Sequence, residues 1–213
     1  SMQQTAQAKL RLISDLRGAL GASEFRVYYQ PIVELGTGHI HKAEALIRQA
    51  QYPIVAVGLT MNRAGATKEL REFVAKHRLP VVTTLMAKGQ IAEEGSQLVG
   101  VVGRARRDIV AEYYKPADLV IAIGYDPVEF NYEDWVRKDL PLVHIDTVPA
   151  DIASGYSVPG QVIGDIREIL KSLSGLDKVQ HRWDLEALRA HRQKLYRALT
   201  PPQANFSPHH ALL

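Results

Sequence analysis

The chain has 213 residues, of which 46% are hydrophobic and 23% charged, enough for one large domain and an appendage. The absence of cysteine excludes disulfides, thiolate metal sites and cysteine nucleophiles, and it favours a cytoplasmic protein. A formal net charge of +3 is too small to indicate nucleic-acid binding, and no apolar run approaches the roughly 18 residues that would span a bilayer. We therefore expect a soluble protein with no nucleic-acid partner and no membrane partner.

The N-terminal part of the chain predicts a helix and a strand outside the main domain. Ser1 ahead of Met2 is typical of the remnant of a cleaved expression tag. Apolar residues at helical spacing over 4–21 predict an amphipathic helix, and aromatic and β-branched residues over 25–33 predict a strand. Pro31 places that strand at a sheet edge or at an irregularity. Because an exposed edge can pair with a second chain, residues 25–33 predict a homodimer, which light scattering would detect.

A turn and a helix connect this part to the main domain. Gly36, Thr37 and Gly38 predict the turn. Residues 41–50 are mostly good helix formers, with apolar residues at positions i, i+3, i+4 and i+7 of one face. This spacing predicts a helix that leads into the first strand of the main domain.

Short apolar segments follow, each with a Gly, Thr or Asp at its end. They cover residues 53–58, 80–84, 118–124, 141–146 and, more weakly, 160–164. Residues 98–103 predict a further short strand or an extended segment. Continuous β-branched runs are typical of strands covered on both faces, and the intervening segments are long enough to cross the sheet. The pattern predicts a doubly wound, Rossmann-like parallel α/β sheet of five or six strands with helices on both faces, plus the N-terminal helix–strand appendage.

Helical patterns fill the segments between and after these strands. The predicted helices cover residues 65–77, 104–114, 165–173 and 181–199. Asp165 is expected to cap the third of them, because its carboxylate can accept hydrogen bonds from the first backbone N–H groups. Residues 200–213 are rich in proline and lack periodicity, which predicts a surface-hugging or disordered tail.

Small and acidic residues stand at the strand ends, where sheets of this kind bind their ligands. They are Gly58, Thr83, Thr84, Gly124 and Asp146. Small residues let a backbone approach a phosphate, and an acidic side chain can accept hydrogen bonds from ribose hydroxyls. The alternative interpretation is that these residues simply end strands and open turns. The first interpretation predicts a nucleotide-binding module for FAD, NAD or an ADP-like ligand.

Five motifs of this region occur together in one order. They are RAGATKEL (63–70), PVVTTLMAKG (80–89), ADLVIAIG (117–124), VHID (143–146) and GDIREIL (164–170). As a set they resemble the central domain of acetolactate synthase and related thiamine-diphosphate enzymes, from about residue 45 to the C-terminus. The resemblance implies a Rossmann-like central domain over 45–176, followed over 177–213 by a helix and the Pro-rich tail.

The resemblance also implies a reaction for the parent enzyme, the condensation of pyruvate to acetolactate with thiamine diphosphate and Mg²⁺. In this family the Glu and the Gly-Asp-Gly signature that serve the cofactor and the metal lie in two other domains. Neither is present in the sequence, where Gly164-Asp165 is followed by Ile166. The resemblance therefore implies a catalytically incomplete domain with no catalytic residue and no metal ligand of its own.

In biosynthetic members of the family, the crevice at the strand ends holds FAD. The resemblance implies FAD contacts at Gly58, Thr84, Leu85, Gly103, Gly124 and Asp146. Three departures from the FAD-binding pattern stand at residues 58–60, 100–103 and 124–130, the last of which (GYDPVEF) is similar to the flavin-free catabolic synthases. The resemblance thus favours a catabolic-type parent, with no cofactor firmly expected for the chain and a nucleotide such as FAD as the alternative.

A second resemblance covers residues 12–48. DLRGAL (15–20), YYQPIV (28–33), GTG (36–38) and EAL (44–46) are similar to the start of an EAL domain, the cyclic di-GMP phosphodiesterase module. It implies a metal-binding role for Glu44, but the later carboxylates of that family are absent, so we interpret Glu44 as a solvated or capping carboxylate. In an EAL domain residues 41–50 would be a strand paired to 26–33, whereas propensity favours the synthase-like helix. Together the resemblances predict a recombined or engineered chimera, with an EAL-like segment over 1–44.

Overall fold

The computed structural model describes residues 37–93, 97–103 and 107–200, which contain one sheet of six strands. The strands are β1 (Pro53–Val57), β2 (Val81–Thr83), β3 (Leu98–Val101), β4 (Leu119–Ile123), β5 (Leu142–Asp146) and β6 (Gly160–Ile163). Their order across the sheet is β3-β2-β1-β4-β5-β6, and every neighbouring pair is parallel. The predicted doubly wound α/β sheet is confirmed, and the segment at 98–103 supplies the sixth strand.

The central strands are apolar because both faces of the sheet are covered. All residues of β1, β4 and β5 are buried. Alternate side chains point to opposite faces, so that Val55 and Val57 pack on one side while Ile54 and Ala56 pack on the other. A strand covered in this way has little room for polar side chains along its length, and they concentrate at its ends.

Helices cover both faces, as predicted. They are α1 (Thr37–Gln49), α2 (Thr60–Ala64), α3 (Thr67–His77), α4 (Arg107–Tyr114), α5 (Ile166–Gly175) and α6 (Leu185–Leu199). The first cluster of core residues joins α1, α3 and α5 to the sheet face that carries Val55. The second joins α4 and α6 to the opposite face, together with the 3-10 helix Tyr132–Asp134.

Residues 41–50 form a helix and not the strand that an EAL-type fold requires. In α1, Ile40, Ala43 and Ile47 are buried against the sheet, and this apolar face stabilises the helix. The helix begins at Thr37, so the turn predicted at 36–38 is wrong for Thr37 and Gly38. The boundary predicted between residues 44 and 45 falls inside α1.

Carboxylate caps set the start of two helices. Asp165 caps α5 as predicted, because its Oδ1 accepts a hydrogen bond of 2.8 Å from the N–H of Arg167. The start predicted for helix α6, at residue 181, is wrong. The helix begins at Leu185, because Asp184 provides the N-cap by accepting a hydrogen bond of 2.8 Å from the N–H of Glu186.

The chain after β1 folds as two helices, whereas the sequence predicted one over 65–77. The short helix α2 was missed because five residues are too few to show a helical period. Gly65 ends it with a left-handed φ of 59°, and α3 begins two residues later. Buried Met61 anchors α2 on the core cluster of α3 and α5.

Several predicted features lie outside the described residues. They are the helix at 4–21, the edge strand at 25–33, the start of the helix at 104–106 and the tail at 201–213. Within the described residues, no helix has both the length and the apolar character that crossing a membrane would need.

The chain segments that follow β1 and β4 cross in direct backbone contact. The N–H of Gly58 donates to the Ile123 carbonyl (3.1 Å), and the N–H of Thr60 donates to the Gly124 carbonyl (3.0 Å). A Cβ atom at Gly58 would lie 2.5 Å from the Cα of Tyr125 and 2.6 Å from the oxygen of Gly124. Gly124 also has a left-handed φ of 58°. Both glycines are therefore required by the packing of the chain on itself.

We expect Gly58→Ala to lower the free energy of unfolding by about 3 kcal/mol, because the added methyl group collides with backbone atoms that cannot rotate away. Urea denaturation followed by circular dichroism measures this loss. Gly175→Ala is the matched control, since a Cβ atom at Gly175 meets nothing within 4 Å, and we expect a change below about 1 kcal/mol. Equal losses in the two variants would contradict the packing argument.

Candidate functional site

The carboxyl edge of the sheet is the candidate functional site, because the strand order reverses there between β1 and β4. Ligands of doubly wound sheets bind at such a reversal. Five of the six predicted site residues follow or end β1, β2, β4 and β5, which are neighbours in the sheet: Gly58, Thr84, Leu85, Gly124 and Asp146. The sixth, Gly103, follows β3, two strands away from β1.

The predicted residues divide into separate groups rather than forming one cluster. Gly58 and Gly124 touch each other where the two chain segments cross. Thr84 is 1% exposed, and Asp146 lines a cavity on the other side of this crossing. Leu85 is 70% exposed. These positions leave the two glycines in contact with the protein's own backbone, whereas Asp146 faces open space.

Glu129 is the residue at this edge that the sequence analysis missed. Its Oε2 accepts hydrogen bonds from the N–H of Leu59 (3.1 Å) and from Oγ1 of Thr84 (2.6 Å), and its Oε1 accepts one from the N–H of Met86 (2.9 Å). The carboxylate thus ties together the segments after β1, β2 and β4. An acidic residue in a loop gives no periodic signal, and only its place in the GYDPVEF run singled out this part of the sequence.

A cavity of about 390 Å³ lies between the segments that follow β4 and β5. Its lining is rich in carboxylates and also contains aromatic and apolar side chains: Thr60, Tyr125, Asp126, Pro127, Val128, Asn131, His144, Asp146, Val148, Pro149 and Asp151. Three carboxylates and no Lys or Arg line it, so the cavity favours hydroxyl groups or a positive charge over a phosphate.

Asp146 is the carboxylate that is best placed to receive a ligand. It is 1% exposed, and its Oδ1 accepts hydrogen bonds from the N–H (2.6 Å) and the hydroxyl (3.1 Å) of Thr147. Among the described residues, no hydrogen-bond donor reaches Oδ2. An oxygen of a largely buried carboxylate that opens on a cavity and has no donor is a place where a ligand hydroxyl could bind.

His144 is held in one neutral form by its two neighbours. A carbonyl oxygen can only accept a hydrogen bond, so Nε2 carries the ring proton and donates a hydrogen bond to the Val148 carbonyl (2.9 Å). Nδ1 then accepts from the hydroxyl of Tyr132 (3.2 Å). Burial lowers the pKa of His144, although the Val148 carbonyl and the charge of Asp146 act in the opposite direction.

Tyr125 lines the cavity, and its side chain packs against Tyr132 and Trp135. The rings of Tyr125 and Tyr132 stack with their centroids 4.3 Å apart, and the hydroxyl of Tyr125 donates to the Phe130 carbonyl (2.8 Å). The indole N–H of Trp135 donates to the same hydroxyl (2.9 Å). Burial raises the pKa of both tyrosines above the ordinary value, so both stay protonated.

Several polar groups beside the cavity are engaged within the protein. Both nitrogens of His144 are used within the protein, and the two tyrosines are locked by hydrogen bonds and stacking. No group of three or more His, Cys, Asp or Glu residues that could hold a metal ion occurs in the described parts of the chain. Asp165 caps α5 through its Oδ1 and is not among the residues that line the cavity.

The crevice between β1 and β4 does not fit the diphosphate of a nucleotide such as FAD as it stands. The backbone N–H groups of Leu59, Thr60 and Met61 are all taken, by Glu129, by the Gly124 carbonyl and by the Gly58 carbonyl. A diphosphate binds through free N–H groups at this place in dinucleotide-binding sheets. The cavity beside Asp146 fits a ribose or another polyol, and it offers no positive charge to a phosphate.

We expect stability to fall as the pH drops from about 7 to 5, and His144 to contribute to the fall. Its folded pKa lies below the unfolded value of about 6.5, so below that pH the unfolded state binds the proton more readily. In His144→Gln, the free energy of unfolding should therefore fall less steeply with decreasing pH, by up to about 1.4 kcal/mol per pH unit. Denaturation at a series of pH values measures the slope.

The matched control is His41→Gln, because His41 lies on the exposed face of α1, where its Nδ1 pairs with Glu44 (3.2 Å). This variant measures how far replacing an exposed histidine by glutamine changes the slope, and we expect a smaller change than in His144→Gln. Burial also lowers the pKa of His77, His181 and His191, so these residues sustain part of the fall in every variant. A slope that does not change in His144→Gln would contradict the buried neutral form.

The chain is similar to known proteins over this same domain. It is 35% identical over 129 residues to "Acetolactate synthase" of Bacillus subtilis, which covers 60% of the chain and 23% of that protein. It is 33% identical over 147 residues to "Acetolactate synthase large subunit" of Corynebacterium glutamicum, which covers 68% of the chain and 24% of that protein. The chain thus spans about a quarter of the length of these curated relatives.

A solved structure supports the fold. It is described as a putative thiamin diphosphate-dependent enzyme isolated from Mycobacterium smegmatis, with a TM-score of 0.53 and 21% identity over 69% of the chain and 29% of that structure. Residues 40–173, more than half of the chain, match the family model described as "Thiamine pyrophosphate enzyme, central domain". These residues contain all six strands. The chain therefore belongs to the family of thiamine pyrophosphate enzyme central domains.

Proposed function

We propose that the chain provides the central domain of an acetolactate-synthase-type enzyme and that it does not carry out the synthase reaction by itself. The parent reaction is the thiamine-diphosphate-dependent condensation of pyruvate to acetolactate. The observation that supports this proposal most strongly is the match of residues 40–173 to the family's central domain, together with relatives that are acetolactate synthases.

The side chains of the carboxyl edge support a structural rather than a catalytic role for the domain. His144 has no free nitrogen, and burial raises the pKa of Tyr125 and of Tyr132 beside it, so both stay protonated. Asp165, in the chain's only Gly-Asp pair, serves as a helix cap. Thiamine diphosphate supplies the carbanion chemistry of the parent reaction, and in our proposal other domains of the enzyme bind it.

The proposed parent is of the flavin-free catabolic type. Residues 124–130 carry the loop that resembles this type, and Glu129 in that loop occupies the donors that a diphosphate would need. A structural domain of this kind that binds no flavin must stabilise its strand ends with its own side chains and backbone. The carboxylate of Glu129 and the contact of Gly58 with Gly124 do so.

We expect the purified chain to form no acetolactate from pyruvate in the presence of thiamine diphosphate and Mg²⁺. In our proposal the residues that bind thiamine diphosphate belong to other domains of the enzyme, and both nitrogens of His144 are used within the described fold. Acetolactate formation and pyruvate consumption are the measurements, with a complete acetolactate synthase in the same buffer as the positive control. Turnover by the chain alone would refute the proposal.

A nucleotide-binding module is the second candidate function, and the free Oδ2 of buried Asp146 favours it. In this role the oxygen would accept a hydrogen bond from a ribose hydroxyl of FAD, NAD or an ADP-like ligand. If this second candidate holds, such a ligand raises the melting temperature of the chain, and it raises it less in Asp146→Asn, because an amide cannot accept a hydrogen bond at both positions. A colourless sample with no shift for FAD, NAD or ADP would remove this candidate.

The N-terminal segment remains a prediction. We propose an EAL-like appendage without phosphodiesterase activity, joined to the central domain ahead of α1. Glu44, the residue that the EAL resemblance singles out, lies on α1 and accepts a hydrogen bond from His41 (3.2 Å), as a partly solvated carboxylate does. Hydrolysis of cyclic di-GMP by the chain would overturn this assignment.

A further inference from the structure

Three hydrogen-bond donors, from two segments that are both far from Glu129 along the chain, converge on its carboxylate. They are the N–H of Leu59, the hydroxyl of Thr84 and the N–H of Met86, at 3.1, 2.6 and 2.9 Å. Leu59 and Glu129 are 70 positions apart, and Thr84 and Glu129 are 45 apart. Tertiary packing therefore builds this cluster, and no local turn accounts for it.

The donors form a site for an anion rather than for a neutral group. All three point hydrogen atoms at one place, and no Lys or Arg among the described residues forms an ion pair with Glu129. Thr84 is 1% exposed, so its hydroxyl depends on this partner. Converging neutral donors of this kind are what oxyanions bind in proteins.

We propose that Leu59, Thr84 and Met86 form an anion-binding site that the chain's own Glu129 fills, and that the site takes a phosphate-type oxyanion when this carboxylate is removed. The monoanionic form of inorganic phosphate has the charge of the carboxylate and enough oxygens for all three donors. The proposal goes beyond the synthase assignment and does not depend on it, because it rests on hydrogen-bond geometry alone.

In this arrangement Glu129 takes the place of a nucleotide phosphate, so that no buried donor is left unpaired when no nucleotide is bound. An empty site would leave the Thr84 hydroxyl and the Leu59 N–H without partners, which destabilises a fold. Glu129 satisfies them from within. A ligand phosphate then has to compete with a carboxylate that is already in place and covalently attached, so its affinity for the unaltered chain is low.

The test is the melting temperature of Glu129→Ala with and without inorganic phosphate. We expect this variant to melt below the parent chain and to gain about 3 °C or more in 10 mM phosphate, the shift for a Kd of about 1 mM. The reference sample contains chloride at the same ionic strength. Because phosphate raises the stability of most proteins slightly, the gain is compared with that of the parent chain.

Glu133→Ala is the matched control. Glu133 also fastens a loop through its carboxylate, since Oε1 accepts a hydrogen bond of 2.5 Å from the N–H of Ala153, but within the described parts of the chain only this donor reaches it. This variant should lose stability without a phosphate-specific gain. Thr84→Val in the Glu129→Ala background keeps the side-chain shape, removes the hydroxyl and should abolish most of the gain.

If Glu129→Ala does not fold, the same measurement is made on Glu129→Gln. The amide keeps the size of the side chain but turns an N–H group toward one of the donors, so phosphate should stabilise it more than the parent chain. A larger gain with ADP than with phosphate would identify a nucleotide as the source of the oxyanion, and equal gains would identify a free ion. The same response in Glu129→Ala and Glu133→Ala, or a gain that survives Thr84→Val, would overturn the proposal.

Discussion

The burial of one parallel sheet on both faces is the constraint on which the rest of this structure depends. Every residue of β1, β4 and β5 is buried, so these strands consist largely of Val, Ile, Leu and Ala. Two layers of helices are needed to cover them, which is why apolar helix faces recur along the chain. Polar groups are pushed to the strand ends, and any function of the domain is concentrated there.

At the carboxyl edge, the domain stabilises itself with groups that related folds offer to ligands. Gly58 and Gly124 bring two backbones into contact, and Glu129 accepts hydrogen bonds from donors of two other segments. Buried donors without partners lower stability, and Glu129 is the acceptor that these donors have within the described fold. The open part of the edge is the acidic cavity beside Asp146, which has the chemistry of a hydroxyl-binding site.

The polar side chains beside the cavity are engaged within the protein. One nitrogen of His144 accepts from the hydroxyl of Tyr132 and the other donates to the Val148 carbonyl, while the hydroxyl of Tyr125 donates to the Phe130 carbonyl. These contacts belong to a chain of the thiamine pyrophosphate enzyme central-domain family, and its acetolactate synthase relatives are about four times as long as the stretch that matches them.

The sequence by itself determined the sheet, because β-branched runs with crossover segments allow few other folds. It also determined the Asp165 cap and the helix at 41–50, where local propensity and apolar spacing agree. It did not determine the start of α6 or the existence of α2, which depend on single caps and short contacts. Only the tertiary structure decided the role of Glu129, because its donors lie 43 to 70 positions away along the chain, and such partners leave no periodic trace in a sequence.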